Sequence, residues 1–480
     1  MKQAERISAD ILSQFPTVDE GQVDALLNAE IEKSSVKIVV LDDDPTGVQT
    51  VHDVSVYTDW SAESVRGGFV EQNKLFYILT NSRGFTAEQT TQAHKEIART
   101  VAQTARDLGR DFIIMSRSDS TLRGHYPLET ALLKAELEKE GVLAVDGEIL
   151  CPFFKEGGRY TIDNVHYVRY GAELVPAGET EFAKDKTFGY TASDLRAYVE
   201  EKTGGAYRAE DVTCIALEDL RAESYDKIEA QLLAVKDFGK VAVNAIDYCD
   251  VKVFCVALYR AMAKGKRFLF RTAAALVKVI GGIPDQPLLT RRDMVTAETP
   301  NGGIVVVGSH TQKTTAQLKA LLTVPGTEAI EFNSNLVLEG DAAFEAEIAR
   351  VVGESEKLIL AGKTPVCFTN RTLLTVPDDT KEKALLRSVR ISDGVQALVG
   401  RLSVTPAFVV AKGGITSSDV GTKALKVKRA NVMGQIKPGI PVWQTGPESR
   451  FPGIPYVIFP GNVGEETTLK EAVETLLGRS

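Results

Sequence analysis

KIVVLDDDPTG, residues 37–47, joins a short apolar strand to an acidic loop that ends in glycine. The same unit recurs on both sides of it. LFYIL precedes TNSRG, FIIM precedes SRSDSTLRG, EILCPFF precedes KEGGR, and VAVNA precedes IDYCD. Further along, GIVVVG precedes SHTQKTT, AFVVA precedes KGGITSSD, and PYVIF precedes PGNVGEE, with one more strand expected at PVCFT, residues 365–369. Apolar runs of this length, alternating with helical periodicity, indicate parallel sheets covered by helices on both faces. Such sheets bind ligands at the carboxyl ends of their strands. Those ends are where this chain concentrates Asp, Ser, Thr, Arg and Gly.

The rhythm breaks at residues 281–303, GGIPDQPLLTRRDMVTAETPNGG, whose three prolines and four glycines indicate a connection between domains. The expected fold class is therefore α/β: two three-layer α/β domains with mostly parallel sheets and an active-site cleft between them. The boundaries are a helical extension over 1–35, a first domain over 36–285 and a second over 300–480. In the extension, residues 5–32 have amphipathic helical spacing. Thr17 and Glu20 stand at capping-box distance, followed by Val23, Leu26, Leu27 and Ile31.

The bulk numbers bound the function. A chain of 480 residues exceeds one hydrophobic core. Its 44% hydrophobic and 25% charged residues are those of an ordinary globular enzyme. With 56 Lys and Arg against 65 Asp and Glu, the net charge of −9 argues against a nucleic-acid partner. No apolar run reaches the ~20 residues that span a bilayer, the start MKQAERISADILSQF lacks the apolar core of a secretory signal, and the five cysteines form no CxxC pair. No membrane partner and a cytoplasmic location are expected. The five histidines form no HxxxH or HxH pair, and no metal ligands are assigned. His125 and His310 stand beside loops with candidate chemistry.

The first half carries acidic and hydroxyl loops. Asp42, Asp43 and Asp44 crowd three carboxylates at one strand end, where each raises its neighbours' pKa. Capping a helix uses one aspartate and does not explain three. Thr80-Asn81-Ser82-Arg83-Gly84 supplies a cation, and Arg117-Ser118-Asp119-Ser120-Thr121-Leu122-Arg123-Gly124 supplies two more and a carboxylate. Arginine forks suit carboxylates, and Asp and Ser suit sugar hydroxyls, so these loops fit a polyhydroxy acid.

The second half carries three glycine-bearing loops: Gly308-Ser309-His310-Thr311 ahead of a helix starting near Lys313; Lys412-Gly413-Gly414-Ile415-Thr416, with Asp419 expected to cap the next helix; and Pro460-Gly461-Asn462-Val463-Gly464. Paired glycines let backbone approach a ligand, and helix starts attract phosphate. The first loop lacks the glycine before lysine that a P-loop requires. Gly362-Lys363-Thr364 precedes a strand and is set aside.

In order along residues 36–470, these segments resemble the four-carbon acid sugar kinase family. LDDDPTG resembles its acidic DDxTG loop. TNSRG and SRSDSTLRG resemble its substrate loops, and CPFFKEGGRYTIDNVHYV and VPAGETEFAKDKTFGY its middle section. VVGSHTQKTTAQL, AKGGITS and PGNVG resemble its nucleotide loops. The chain departs from it with Arg117, where the family's KxDST motif begins with lysine, and with Asp42 and Pro45 in the acidic loop. The resemblance implies an N-terminal sugar-acid-binding domain, a C-terminal nucleotide-binding domain and a homodimer.

It further implies transfer of phosphate from ATP, with Mg²⁺, to a threonate, erythronate, 3-oxo-tetronate or related acid. On this reading Asp44 or Asp119 orients or deprotonates the hydroxyl. Asp43, Ser82, Arg83, Arg117, Ser120 and Arg123 bind the acid, with Arg83 or Arg123 on its carboxylate. Ser309, Gly413, Gly414, Ile415, Thr416, Gly461, Asn462 and Gly464 bind the nucleotide. The rival enzyme is a haloacid-dehalogenase-type phosphatase, whose DxDxT pattern fits Asp42, Asp44 and Thr46, with Asp42 as nucleophile. A dinucleotide-dependent dehydrogenase lacks its GxGxxG here, and a non-catalytic sugar-acid-binding module leaves the glycine loops without a role.

Overall fold

A computed structural model describes residues 4–141, 144–372, 374–376, 379–461 and 463–479. The chain forms two compact units. One comprises residues 1–47 and 59–285, the other 48–58 and 286–480.

The first unit is built on parallel strands in the spatial order Thr213–Ile215, Gly239–Val243, Gly147–Cys151, Phe268–Thr272, Phe112–Arg117, Lys37–Asp42, Leu75–Leu79. Every residue of the five strands from Gly147–Cys151 to Leu75–Leu79 is buried. That burial explains why these strands read as unbroken apolar runs instead of alternating ones. Register then does the positioning. Asp42 lies opposite both Leu79 and Arg117, Arg117 opposite Thr272, and Thr272 opposite Cys151. The loops that follow these strands thus leave the sheet at one level.

The amphipathic helix Ala87–Leu108 packs on Leu128–Lys139 and Ala62–Val70. A second set, Glu20–Lys33, Tyr225–Ala234 and Ala274–Ile280, packs on the largely buried helix Tyr248–Ala263. A small antiparallel sheet, Ile7–Ser8, Glu173–Pro176, Val165–Tyr170, Arg159–Ile162, completes the unit.

The start of the chain differs from the continuous helix expected over 5–32. Ile7–Ser8 pairs with the Glu173–Pro176 strand, Ala9–Ser13 is a 3₁₀ turn, and the helix begins at Glu20. Pro16 disfavours helical backbone at the residue before it. The cap is Asp19, which accepts from the Gln22 N–H at 3.1 Å, in place of the expected Thr17 and Glu20 pair.

The second unit places parallel strands in the order Pro455–Phe459, Val409–Lys412, Ile304–Val307, Thr364–Thr369, Thr327–Phe332. An antiparallel ribbon, Arg429–Lys437 and Ile440–Thr445, extends this sheet beside Pro455–Phe459. Val54–Tyr57, from early in the chain, joins it antiparallel to Arg429–Lys437. The core gathers Val305, Val307, Phe408, Val410, Val442, Val457 and Phe459 between sheet and helices.

One polar contact inside the first unit has a large energetic consequence. Lys240 Nζ donates to Glu148 Oε2 at 2.6 Å across adjacent strands, with both side chains buried and the ammonium over the Phe238 ring. Removing one partner of a buried pair leaves an uncompensated charge, which costs about 3–5 kcal/mol. Lys240→Met is expected to destabilise the unit by about that much in urea denaturation. The double variant Lys240→Met/Glu148→Gln is expected to recover most of the loss. A single variant within about 1 kcal/mol of wild type would show that the pair is energetically idle.

Candidate functional site

The three aspartates end the Lys37–Asp42 strand and begin its loop. Asp42 is 1% exposed and Asp43 4% exposed. Arg117, opposite Asp42 in the sheet, reaches Asp42 Oδ1 at 3.3 Å and Asp43 Oδ1 at 3.8 Å. Arg83, from the turn Ser82–Gly84, donates to Asp43 through Nη2 at 2.6 Å and Nε at 3.2 Å, and to Asp44 through Nη1 at 3.4 Å. Asp119 lies 3.9 Å from Arg83 Nη1 and accepts from Arg123 Nε at 2.8 Å and from the Thr121 hydroxyl. Gly47 is required where it stands, because a Cβ there would fall 2.0 Å from the Asp42 carboxylate.

Four of the predicted carboxylates, Asp42, Asp43, Asp44 and Asp119, therefore share one arginine lattice, in which their charge states diverge. Burial pushes Asp42 up to about 8 against the pull of Arg117, with Asp43 and Asp44 adding repulsion. Burial also raises Asp43, opposed by Arg83 and Arg117. At Asp44 burial is outweighed by Arg83 and by the Thr46 side-chain and backbone donors, and the carboxyl falls below its ordinary value. At Asp119 burial is likewise outweighed, by Arg83, Arg123 and Thr121, holding it well below the usual carboxylate range. These two ionised carboxylates keep 17% and 12% of their side chains exposed, enough to accept a ligand hydroxyl.

Ser82 is fully buried and donates to the buried Glu129 at 2.7 Å. Ser120 is buried, and its carbonyl lies 2.8 Å from His166 Nε2. Arg117 is buried on Asp42 and Asp43, so it acts on a ligand through them. His125 holds the Phe85 carbonyl at 3.0 Å. Glu129 and Arg271 escape a reading of the loops. Glu129 lies within a helix, and Arg271, which donates to the Arg123 carbonyl at 2.6 Å, lies in a strand with no glycine-rich loop after it.

In the second unit the register again aligns the loops, since Val307 lies opposite Lys412 and Lys412 opposite Phe459. The first two loops touch closely. A Cβ on Gly308 would fall 2.2 Å from Thr416 Oγ1, and one on Gly413, at φ +121°, would fall 3.4 Å from Ser309 Cβ. Ser309 Oγ accepts from Thr314 at 3.2 Å, and its carbonyl accepts from Arg371 at 2.7 Å. Lys412 ties the second loop to the third, donating to the Pro460 carbonyl at 2.6 Å and that of Gly461 at 2.9 Å. Lys313 reaches the Gly464 carbonyl at 3.2 Å, and Gln317 donates to those of Val463 and Glu465.

A Cβ on Gly461 would meet open space. Gly414 opens the short helix Gly414–Asp419, and Ile415 is 74% exposed beside it. Asn462 lies outside the described residues. Asp419 does not cap a helix as expected. It ends this one, which continues as a wider turn, and it accepts from Ser392 at 2.6 Å. The arrangement is a backbone cradle with hydroxyls at its rim, suited to a phosphate chain. Among the described residues no group of three or more His, Cys, Asp or Glu is placed to hold a metal ion. No helix among them is long and apolar enough to cross a membrane.

Family models match most of the chain. A sugar-binding N-terminal domain matches residues 38–280 and a nucleotide-binding C-terminal domain matches residues 304–469. No curated protein matches it. Among solved structures, it is similar to a Salmonella typhimurium LT2 protein provisionally named a tRNA synthase. The two share 15% identity and a TM-score of 0.67 over 91% of this chain and 98% of that one. It is also similar to a Haemophilus influenzae protein of the DUF1537 family, with 16% identity and a TM-score of 0.59 over 91% of this chain and 100% of that one. At these identities the two structures establish the shared fold.

Lys412 gives the second loop cluster a pH signature. Burial pulls its ammonium down from 10.5 to about 7, with Lys313 adding repulsion. Between those two values the unfolded chain binds the extra proton, so stability rises with pH across that window. The melting temperature is expected to gain more between pH 7 and pH 9 in the wild type than in Lys412→Met. Equal gains in both proteins would remove Lys412 as the source.

Proposed function

Because the chain belongs to the four-carbon acid sugar kinase family, we propose that it transfers the γ-phosphoryl group of ATP to a hydroxyl of a small sugar acid. Threonate, erythronate and 3-oxo-tetronates are the first candidates. The observation that carries this reading is the division of chemistry between the units. One holds ionised carboxylates and arginines at its strand ends, and the other holds a glycine-and-hydroxyl cradle at its own. We assign the acid to residues 36–285 and the nucleotide to residues 300–480.

Asp43, Ser82, Arg83, Ser120 and Arg123 would bind the acid, with Arg117 holding Asp42 and Asp43 beneath them. Ser309, Gly413, Gly414, Ile415, Thr416, Gly461, Asn462 and Gly464 would cradle ATP, the exposed Ile415 offering an apolar surface to the base. Gly308 and Gly413 let the first two loops approach closely enough for the hydroxyls of both to meet one triphosphate. A magnesium ion carried on the phosphates would neutralise charge there while keeping several waters. Asp44 or Asp119 accepts the hydrogen bond of the attacking hydroxyl and aims its lone pair at phosphorus. As the new O–P bond forms and the bond to the leaving diphosphate breaks, the hydroxyl proton passes to that carboxylate. A strongly ionised aspartate suits a loose transition state, in which the proton leaves late.

The phosphatase alternative needs Asp42 as an exposed, ionised nucleophile. Its burial against Gly47 and Arg117 and its raised pKa count against that role.

Purified protein with Mg-ATP is expected to release ADP when one sugar acid of a four-carbon panel is added, and not with water alone. Asp119→Asn is expected to lower kcat by about 10²-fold or more while ATP affinity stays within about twofold. Unchanged turnover in that variant would remove Asp119 from the chemistry. Phosphate release from sugar phosphates without ATP would favour the phosphatase.

A further inference from the structure

Four arginines of the acidic site are already engaged. Arg83 gives its donors to Asp43 and Asp44, Arg117 to Asp42 and Asp43, Arg123 to Asp119, and Arg271 to a carbonyl. A fifth guanidinium is different. Arg159 has no hydrogen-bond acceptor and no ion-pair partner among the described residues; its Nε, like those of Arg117 and Arg271, is buried without a partner. It lies over the Phe182 ring at 5.5 Å, the ring that Arg123 also covers at 5.0 Å. Asp119 acts on its charge from a distance, without closing an ion pair. Arginine does not relieve such a position by losing its proton, so the charge stays, half-buried, with Asp119 and Glu181 acting on it only from a distance.

The backbone holds Arg159 firmly. It opens the strand Arg159–Ile162, and its N–H and carbonyl both bond to Phe154 at 2.9 and 3.1 Å. Gly158, at φ +71°, accepts from the Arg169 N–H at 2.8 Å, and a Cβ on Gly157 would fall 3.2 Å from Arg159 Nη1. Gly157 thus clears space at a fixed guanidinium beside Asp119 and Arg123, while Gly158 makes room for Arg169. A planar fork with free donors is the group that recognises a carboxylate in two-point fashion.

We propose that Arg159 is the anchor for the carboxylate of the acid substrate, with Arg83 and Arg123 instead holding the aspartates that bind its hydroxyls. This inference rests on the sugar-acid reading above and deepens it.

Titration calorimetry of the full chain without nucleotide tests it, with erythronate and with erythritol, its counterpart lacking the carboxylate. Wild type is expected to prefer erythronate. Arg159→Met is expected to bind erythronate about a hundredfold more weakly, with erythritol binding unchanged, and Arg159→Lys to recover part of the loss. Erythronate affinity within twofold of wild type in Arg159→Met overturns the assignment, even if ADP release with acids proceeds. Equal losses for both ligands with a lowered melting temperature also overturn it, by showing a structural role. Selective loss of erythronate binding in a protein that never releases ADP sustains the anchor and removes the kinase. Failure of wild type to prefer erythronate removes both.

Discussion

Three adjacent carboxylates at the end of a buried strand are tolerable only if cations are built in beside them, and this requirement organises the first unit. Asp42, Asp43 and Asp44 draw Arg117 from the strand on one side and Arg83 from the turn after the strand on the other. Each arginine must leave its strand at the same level, which the register between Leu79, Asp42 and Arg117 secures. Asp119 is then drawn in by Arg83 and Arg123. The result is a set of carboxylates with unequal charge. The deepest is pushed toward the neutral form, and the two nearest solvent are kept ionised. Unequal carboxylates in one small volume let some groups support the fold while others meet a ligand.

The second unit meets a different constraint with different chemistry. Its three loops carry few charges of their own, and they are held by donors that reach backbone carbonyls. Lys412 spans the second and third loops, while Lys313 and Gln317 reach the third. Carbonyls occupied in this way are withdrawn from the lining of the cradle, which favours an anionic ligand. The Gly308 and Thr416 contact shows how little room separates the first two loops.

Much of this was legible in the sequence because buried parallel strands announce themselves as apolar runs. KIVVL, LFYIL, FIIM and PYVIF all lie in such strands. Half-exposed strands do not. Arg429–Lys437 alternates buried and open residues, while its buried antiparallel partners Ile440–Thr445 and Val54–Tyr57 pass unremarked because polar residues interrupt their apolar pattern. The membership of residues 48–58 in the second unit depends on that pairing, which no local pattern encodes. At the site, residue types pointed to carboxylates, arginines and glycines. Which arginine is engaged and which is free follows from distances alone, as Arg83 and Arg159 demonstrate. Asp19 caps the helix in place of the expected Thr17, because the helix begins at Glu20 and it is the Asp19 carboxylate that accepts from the Gln22 N–H.

The central claim is that phosphorus moves from ATP to a sugar-acid oxygen. Phosphorus-31 NMR of full-length protein with Mg-ATP and the panel of four-carbon acids reads that movement directly. The account predicts that the γ-phosphate signal of ATP gives way, mole for mole, to a phosphomonoester signal split by the protons of a sugar-acid carbon. Conversion of the γ-phosphate to inorganic phosphate alone, or an unchanged ATP spectrum with every acid, would contradict it.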